Sequence, residues 1–390
     1  MPDCHVFSSE LQHTLDGLAV SDNWAVDAVA LLFAAACRLQ CSDVHISCRR
    51  KDVLIRGRRD GEFFQFAVVR AELKDLLLGR LKVMAQLPAF VRRDPQDGRI
   101  SWTAPGGRSL ILRCSFLPTM HGENVVVRFP ESQGDFSFTV DNIGMTPPVM
   151  GAVTKLLTRR EGVIAVTGPS SSGKTTTMYA MLRALHDRHG DRLNILTIED
   201  PVEREMDFAS QVPVNVVQGL TFDKVLRAAL RQDPNVIMVG EARDLETARI
   251  AIQAGMTGHL VITTVHAGRA SRVFTRLLSM GVEPHLVASA MSGAIAQRLV
   301  KRVCRECRGD GCIACNNTGS TGRMGLYEVV LVTESLRELI LAKRPAEEIA
   351  RQAASAPISC LQRDALELAR SGEIEQAEYE FLFAGEDEVV

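Results

Sequence analysis

Residues Gly168-Pro169-Ser170-Ser171-Ser172-Gly173-Lys174-Thr175 put two glycines, a lysine and a hydroxyl at the spacing that cradles nucleotide phosphates. Glycines at the two ends of such a loop let the backbone curl until successive N–H groups converge on phosphate oxygens. Lys174 adds a full charge for the β- and γ-phosphates, and the Thr175 hydroxyl can complete the shell of a Mg²⁺ ion. The candidate binding set is therefore Gly168, Ser170, Ser171, Ser172, Gly173, Lys174, Thr175 and Thr176. Two acids could act on a bound nucleotide. Glu241 follows the apolar run Val236–Val239 and Gly240, where it would orient or deprotonate an attacking water. Glu199 follows Ile195–Ile198 and precedes Asp200 and Pro201. Either acid alone could be a solvated turn residue; company with a P-loop on one sheet edge favours function. His259 and His266 flank the run Leu260–Thr263 and are candidate nucleotide sensors or structural residues. Cys304, Cys307, Cys312 and Cys315 form two CxxC pairs, enough thiolates for tetrahedral zinc. A disulfide pair or an unliganded thiol loop is the alternative, and Gly309 and Gly311 ease the tight turn between the pairs.

These groups need rigid elements behind them. Val163–Val166 precedes the P-loop, and Met178, Met181, Leu182 and Leu185 after it have helical spacing. Short apolar runs at 163–166, 195–198, 236–239 and 260–263, separated by helical stretches, predict a mostly parallel sheet covered on both faces. In such sheets ligands sit at the carboxyl ends of the strands. Upstream, residues 40–132 predict a smaller α+β domain. It holds a short strand at Val44–Ile46, a hairpin of Val53–Arg58 and Phe63–Val69 around Asp60-Gly61, and a helix over Leu73–Leu87. Turns are expected at Asp97-Gly98 and Pro105-Gly106-Gly107, with strands at Arg99–Trp102, Leu110–Ser115 and Asn124–Arg128. Residues 1–39 contribute a helical segment, Ala25–Cys37, capped by Asp22. Residues 133–150 form a linker overlapping the irregular stretch Glu131–Pro148, and 151–390 the nucleotide domain. That domain takes in the cysteine cluster, a helical region over 333–375 with helices at Glu334–Leu341, Ala346–Ala354 and Leu361–Ala369, and an acidic tail over 385–390.

The 390 residues carry a net charge of −2, which argues against broad nucleic-acid binding. The start lacks a signal peptide pattern, and the longest apolar stretch, Ala28–Cys37, is too short to span a membrane. The expectation is a cytoplasmic protein, recruited to a membrane only through partners.

In order, Gly168–Thr175, Thr197-Ile198-Glu199-Asp200-Pro201-Val202-Glu203, Gly240-Glu241-Ala242-Arg243-Asp244 and Thr257-Gly258-His259 through His266 resemble the Walker A, Asp, Walker B and His boxes of secretion ATPases. The family is that of the type II secretion and type IV pilus motors. Ser42-Asp43-Val44-His45-Ile46, Pro95–Ile100 and His121-Gly122-Glu123 are similar to it too. The resemblance implies a RecA-like P-loop NTPase domain preceded by a sensor-like (PAS-like) domain, assembled as a homo-hexamer that binds ATP and Mg²⁺. It implies work on an inner-membrane platform protein during pilus or pseudopilus assembly. Arg113 and Arg128, each on a predicted strand between apolar neighbours, fit the family's phosphate-reaching arginines; an edge-strand arginine facing water is the plain alternative. Secretion and extension members often carry a tetracysteine zinc site, commonly with a longer insertion between the pairs. Many secretion relatives also carry an extra amino-terminal docking domain, for which the residues before 40 leave almost no room. Pilus retraction and DNA transport stay open within the family. Outside it, a small-molecule kinase lacks a specified lid and acceptor pocket, and a guanine-nucleotide switch lacks Asn-Lys-x-Asp.

Overall fold

The computed structural model of the chain describes residues 4–18, 23–59, 61–107, 109–129, 138–315, 318–355 and 357–384. Asp22, Asp60, linker residues 131–137 and the tail at 385–390 lie outside that set. Two compact units result: 1–135 with 303–322, and 136–302 with 323–390.

The first unit runs α1 (Cys4–Gly17), α2 (Trp24–Arg38), β1 (Asp43–Cys48), β2 (Asp52–Arg59), β3 (Glu62–Arg70), α3 (Lys74–Met84), β4 (Gln96–Thr103), β5 (Ser109–Thr119) and β6 (Gly122–Arg128). Its sheet has the order β3-β2-β1-β6-β5-β4, with antiparallel neighbours. Period-two alternation sends Val44, Ile46, Ile55, Leu112, Phe116, Val125 and Val127 into one core with Phe33 of α2 and Leu77 and Leu81 of α3. The intervening positions, including Arg56, Arg58, Arg113 and Arg128, lie on the other face. At the amino end of α2 the N-cap position falls to Asn23, whose side chain makes no capping bond. Asp97-Gly98 is not a turn, because both residues lie inside β4. A Cβ on Gly98 would stand 3.0 Å from that of Ala85, so this glycine admits the end of α3. Glu123 of the His-Gly-Glu motif is buried against Lys82 at 2.7 Å, a pair that ties β6 to α3. Removing one partner would strand the other charge in the core.

The second unit contains α4 (Pro147–Leu157), β7 (Gly162–Thr167), α5 (Lys174–His189), β8 (Ile195–Glu199), β9 (Ser210–Pro213), α6 (Phe222–Ala229), β10 (Val236–Val239), α7 (Leu245–Met256), β11 (Leu260–Thr264), α8 (Val273–Ser279), α9 (Pro284–Ala290), β12 (Met291–Val303), β13 (Ser320–Leu331), α10 (Glu334–Leu341), α11 (Ala346–Ala354), α12 (Leu361–Arg370) and α13 (Gln376–Phe383). The sheet order is β13-β12-β7-β11-β10-β8-β9, and β12, β7, β11, β10, β8 and β9 run parallel. Val163, Ala165, Ile237 and Val239 face one core, with α6, α7 and α9. Ile164, Val166 and Met238 face a second core with α4 and α5. Coverage on both sides is why these strands read as unbroken apolar runs. Pro147 and Pro148, expected within the linker, open α4 instead. Proline at the first helical positions has no N–H to lose and a φ already set for the helix.

Candidate active site

β7 ends at Thr167 and α5 begins at Lys174, so residues 168–173 form the loop between them. Gly173 caps the helix in the left-handed region at φ 83°, a conformation costly for a residue with a Cβ. Lys174 Nζ donates to the carbonyl oxygens of Gly168 at 3.0 Å and Pro169 at 2.7 Å. Burial pulls its pKa below the usual lysine value, while the charge of Glu241 pulls the other way. The ammonium is thus held over the loop by bonds that a phosphate could replace.

β10 delivers Glu241 to the same edge. Its register with β11, Val239 beside Thr263, brings the ends of the two strands level. Two bonds lock the turn that follows: Ala242 N–H donates to Thr264 O at 3.0 Å, and Thr264 Oγ1 donates to Gly240 O at 2.7 Å. The Glu241 side chain is 18% exposed and its Oε2 lies 2.6 Å from Arg243 Nε and 3.9 Å from His266 Nε2. The loop carrying His266 is fastened to the end of β7, where Ala267 N–H donates to Thr167 Oγ1 at 3.0 Å. Lys174, Glu241 and His266 therefore gather at one end of the sheet.

His259 does not join them. It precedes β11 at the amino ends of the strands, where Gly162 N–H bonds its carbonyl oxygen and its ring lies 3.1 Å from Ala254 O. The five residues of β11 separate it from His266 by about 17 Å at ~3.3 Å per residue. Each histidine was a candidate sensor or structural residue; the two lie at opposite ends of β11, and only His266 stands beside Glu241.

Glu199 closes β8 but does not face solvent. It is 3% exposed and its carboxylate accepts from Tyr179 Oη, from Thr197 Oγ1 at 2.6 Å and from Gln211 Nε2 at 3.1 Å. Burial raises its pKa, and the hydroxyl and amide donors offset part of that rise. An acid so engaged ties α5 to β8; direct contact with substrate would need those donors to leave. Sequence reading missed Tyr179 and Gln211; the one local sign was a tyrosine on the buried face of the helix behind the loop.

In the first unit, Arg113 and Arg128 stand directly opposite each other on β5 and β6. Arg128 Nε donates to Asp43 Oδ1 at 2.8 Å, so a buried acid anchors an otherwise exposed guanidinium.

The four cysteines converge between β12 and β13. All four Sγ atoms lie within 4.8 Å of one another, with Cys304–Cys312 at 3.8 Å, Cys307–Cys315 at 3.6 Å and Cys312–Cys315 at 3.8 Å. Sulfurs bound to one tetrahedral zinc at ~2.3 Å stand about 3.8 Å apart, whereas a disulfide needs ~2.05 Å. Left-handed φ at Gly309 and Gly311, 103° and 90°, turns the chain back within the short spacer. Backbone N–H groups of Gly311 and Cys312 point at Cys307 and Cys315 Sγ at 3.2 and 3.1 Å. Hydrogen bonding, led by Thr321 and followed by the N–H groups of Cys307 and Glu306, lowers the Cys304 thiol to about 6. The donor set fits structural zinc.

A family model described as Type II/IV secretion system protein matches residues 20–380. The type II secretion system protein HxcR of Pseudomonas aeruginosa is 41% identical over 364 residues, spanning 91% of this chain and 76% of that relative. The type II secretion system ATPase E of Vibrio cholerae is 38% identical over 396 residues, spanning 95% and 78%. Among solved structures, the ATPase DotB of Legionella pneumophila superposes with a TM-score of 0.70 at 20% identity, over 92% of this chain and 95% of that one. At that identity the likeness speaks for the fold.

Proposed function

This chain belongs to the type II/IV secretion system protein family, and from that premise we propose that it is a motor ATPase whose ATP hydrolysis drives assembly of a pseudopilus or pilus for secretion at the bacterial inner membrane. The observation that carries the reading is the convergence of Lys174, Glu241 and His266 beside the P-loop glycines at one sheet edge. Similarity over 95% of this chain and 78% of a relative named as an ATPase supports it.

In this reading the loop N–H groups and the start of α5 bind the β- and γ-phosphates, and Lys174 gives up its loop carbonyls to meet them. Thr175, half-buried at the first turn of α5, would hold the Mg²⁺ that neutralises phosphate charge. Glu241 orients the attacking water and takes its proton as the bond to the γ-phosphorus forms and the bridging oxygen departs with ADP. His266, within reach of Glu241, senses that change. Glu199 positions α5 through Tyr179, and Cys304, Cys307, Cys312 and Cys315 hold a structural zinc.

The working form is a homo-hexamer that acts on an inner-membrane platform protein without binding nucleic acid. No helix among the described residues is long and apolar enough to cross a membrane, in keeping with peripheral recruitment from the cytoplasm through partners. The tetracysteine set favours secretion or extension over retraction.

Lys174→Ala tests the site. It deletes the loop's only full positive charge, and a charge-assisted bond is worth ~1.5–3 kcal/mol, so nucleotide affinity falls roughly 10–100-fold. Titration with a fluorescent ADP analogue measures it, and unchanged affinity would remove the site. Arg113→Ala and Arg128→Ala are expected to lower turnover while ADP affinity stays close to that of the parent. A guanidinium that answers the γ-phosphate has little to engage in ADP. Paired turnover and ADP titrations decide it, and parent-like turnover in both variants withdraws the role.

A further inference from the structure

β12 runs parallel to the P-loop strand, with Ala296 beside Thr167. The next residue, Gln297, therefore stands beside Gly168, under the loop. Its side chain is 2% exposed. A Cβ on Gly168 would lie 2.3 Å from Gln297 O, and a Cβ on Gly173 only 2.8 Å from Gln297 Nε2. Both glycines of the motif thus rest on one residue of the neighbouring strand. Thr177, wholly buried on α5 one turn beyond Lys174, donates its hydroxyl to Gln297 Oε1 at 2.7 Å. In this arrangement the carboxamide oxygen faces the helix and the NH₂ faces Gly173. Tyr327 Oη, 3.4 Å from Thr177 Oγ1, donates to Ile143 O at 3.0 Å and closes the arrangement from β13. Ser172 Oγ, also buried, finds no hydrogen-bond partner among the described residues.

We propose that Gln297 is a positioning residue for nucleotide phosphates, supporting the P-loop from below with its donor edge towards the loop and its orientation fixed by Thr177. The inference rests on the nucleotide reading of the P-loop. A carboxamide suits the place for an electrostatic reason. Its NH₂ end carries partial positive charge and adds to the potential of the N–H groups above it, in a region shielded from water. A space-filling group would support the loop without that contribution. A carboxylate of the same shape would oppose it, placing an anion beneath an anion site.

The experiment compares full-length Gln297→Ala, Gln297→Glu, Thr177→Val and Thr177→Ser by titration with a fluorescent ADP analogue, after checking each fold by circular dichroism. Gln297→Ala and Thr177→Val should each weaken binding about tenfold, and Thr177→Ser should restore it. Gln297→Glu should bind more weakly than Gln297→Ala at pH 8 and regain affinity at pH 5.5 as its carboxyl protonates. A structural role alone would leave the isosteric Glu variant near the parent and without that pH response. Parent-like binding by Gln297→Glu, or equal binding by Thr177→Val and Thr177→Ser, would overturn the proposal. Should Gln297 variants fail to fold, the Thr177 pair decides it by itself. A parent protein that binds no nucleotide would sink the ATPase reading itself, and this inference with it.

Discussion

Glu241→Gln is expected to slow ATP hydrolysis by about 10²–10⁴-fold, the usual cost of losing acid–base help, while leaving nucleotide binding largely intact. The substitution keeps the shape of the side chain and removes its charge and basicity. Other consequences of that change are smaller. The pair with Arg243 would be lost, but that guanidinium is 72% exposed, and ion pairs so open to water contribute ~0–1 kcal/mol. Lys174 would lose an attractive neighbour while keeping its bonds to Gly168 and Pro169. Neither effect approaches the ~3–5 kcal/mol that a 10²–10⁴-fold rate loss represents. Phosphate release at saturating ATP, measured beside ADP affinity and thermal stability, separates the three. Parent-like turnover would end the assignment of Glu241 as the acid that handles water.

The second large effect concerns the cysteines. Protein purified without chelator should contain about one zinc per chain, and Cys307→Ser or Cys312→Ser should release it. Structural zinc contributes ~10–16 kcal/mol in small peptides, far beyond the few tenths a short turn gains from local bonds. Cys304 and Cys315 are buried, and the two glycines hold conformations that other residues avoid. Loss of metal should therefore loosen residues 300–325 first, giving new protease cuts there while nucleotide binding at the P-loop persists. Elemental analysis reads the metal and limited proteolysis reads the loosening. Zinc-free protein with the same protease pattern would leave only a reduced thiol loop.

Much of this protein was legible in the sequence because the information was local. Strand and helix periods located β7, β8, β10 and β11 to within a residue or two, and α10 and α11 as the structure has them. A P-loop is a local object too: its glycines, lysine and threonine act within one turn of chain. The cysteine pairs belong to the same class, since ligand spacing is read along the sequence. Two errors were also local, and each came from reading a residue without its neighbour in space. Gly98 looked like a turn and is a contact point for Ala85; Pro147 and Pro148 looked like linker and begin a helix.

What only the tertiary structure decided is which chemical groups meet. His259 and His266 look alike in sequence, yet a parallel strand carries its two ends to opposite edges of the sheet. Glu199 and Glu241 both follow apolar runs, but Tyr179, Thr197 and Gln211 enclose one while the other faces Arg243 and His266. Gln297 had no local mark at all. Its importance comes from lying 120 residues from Thr177 in sequence and 2.7 Å from it in space, a closeness created by the pairing of β12 with β7. Periodicity reports which face of an element is buried; it carries no information on which distant element covers that face.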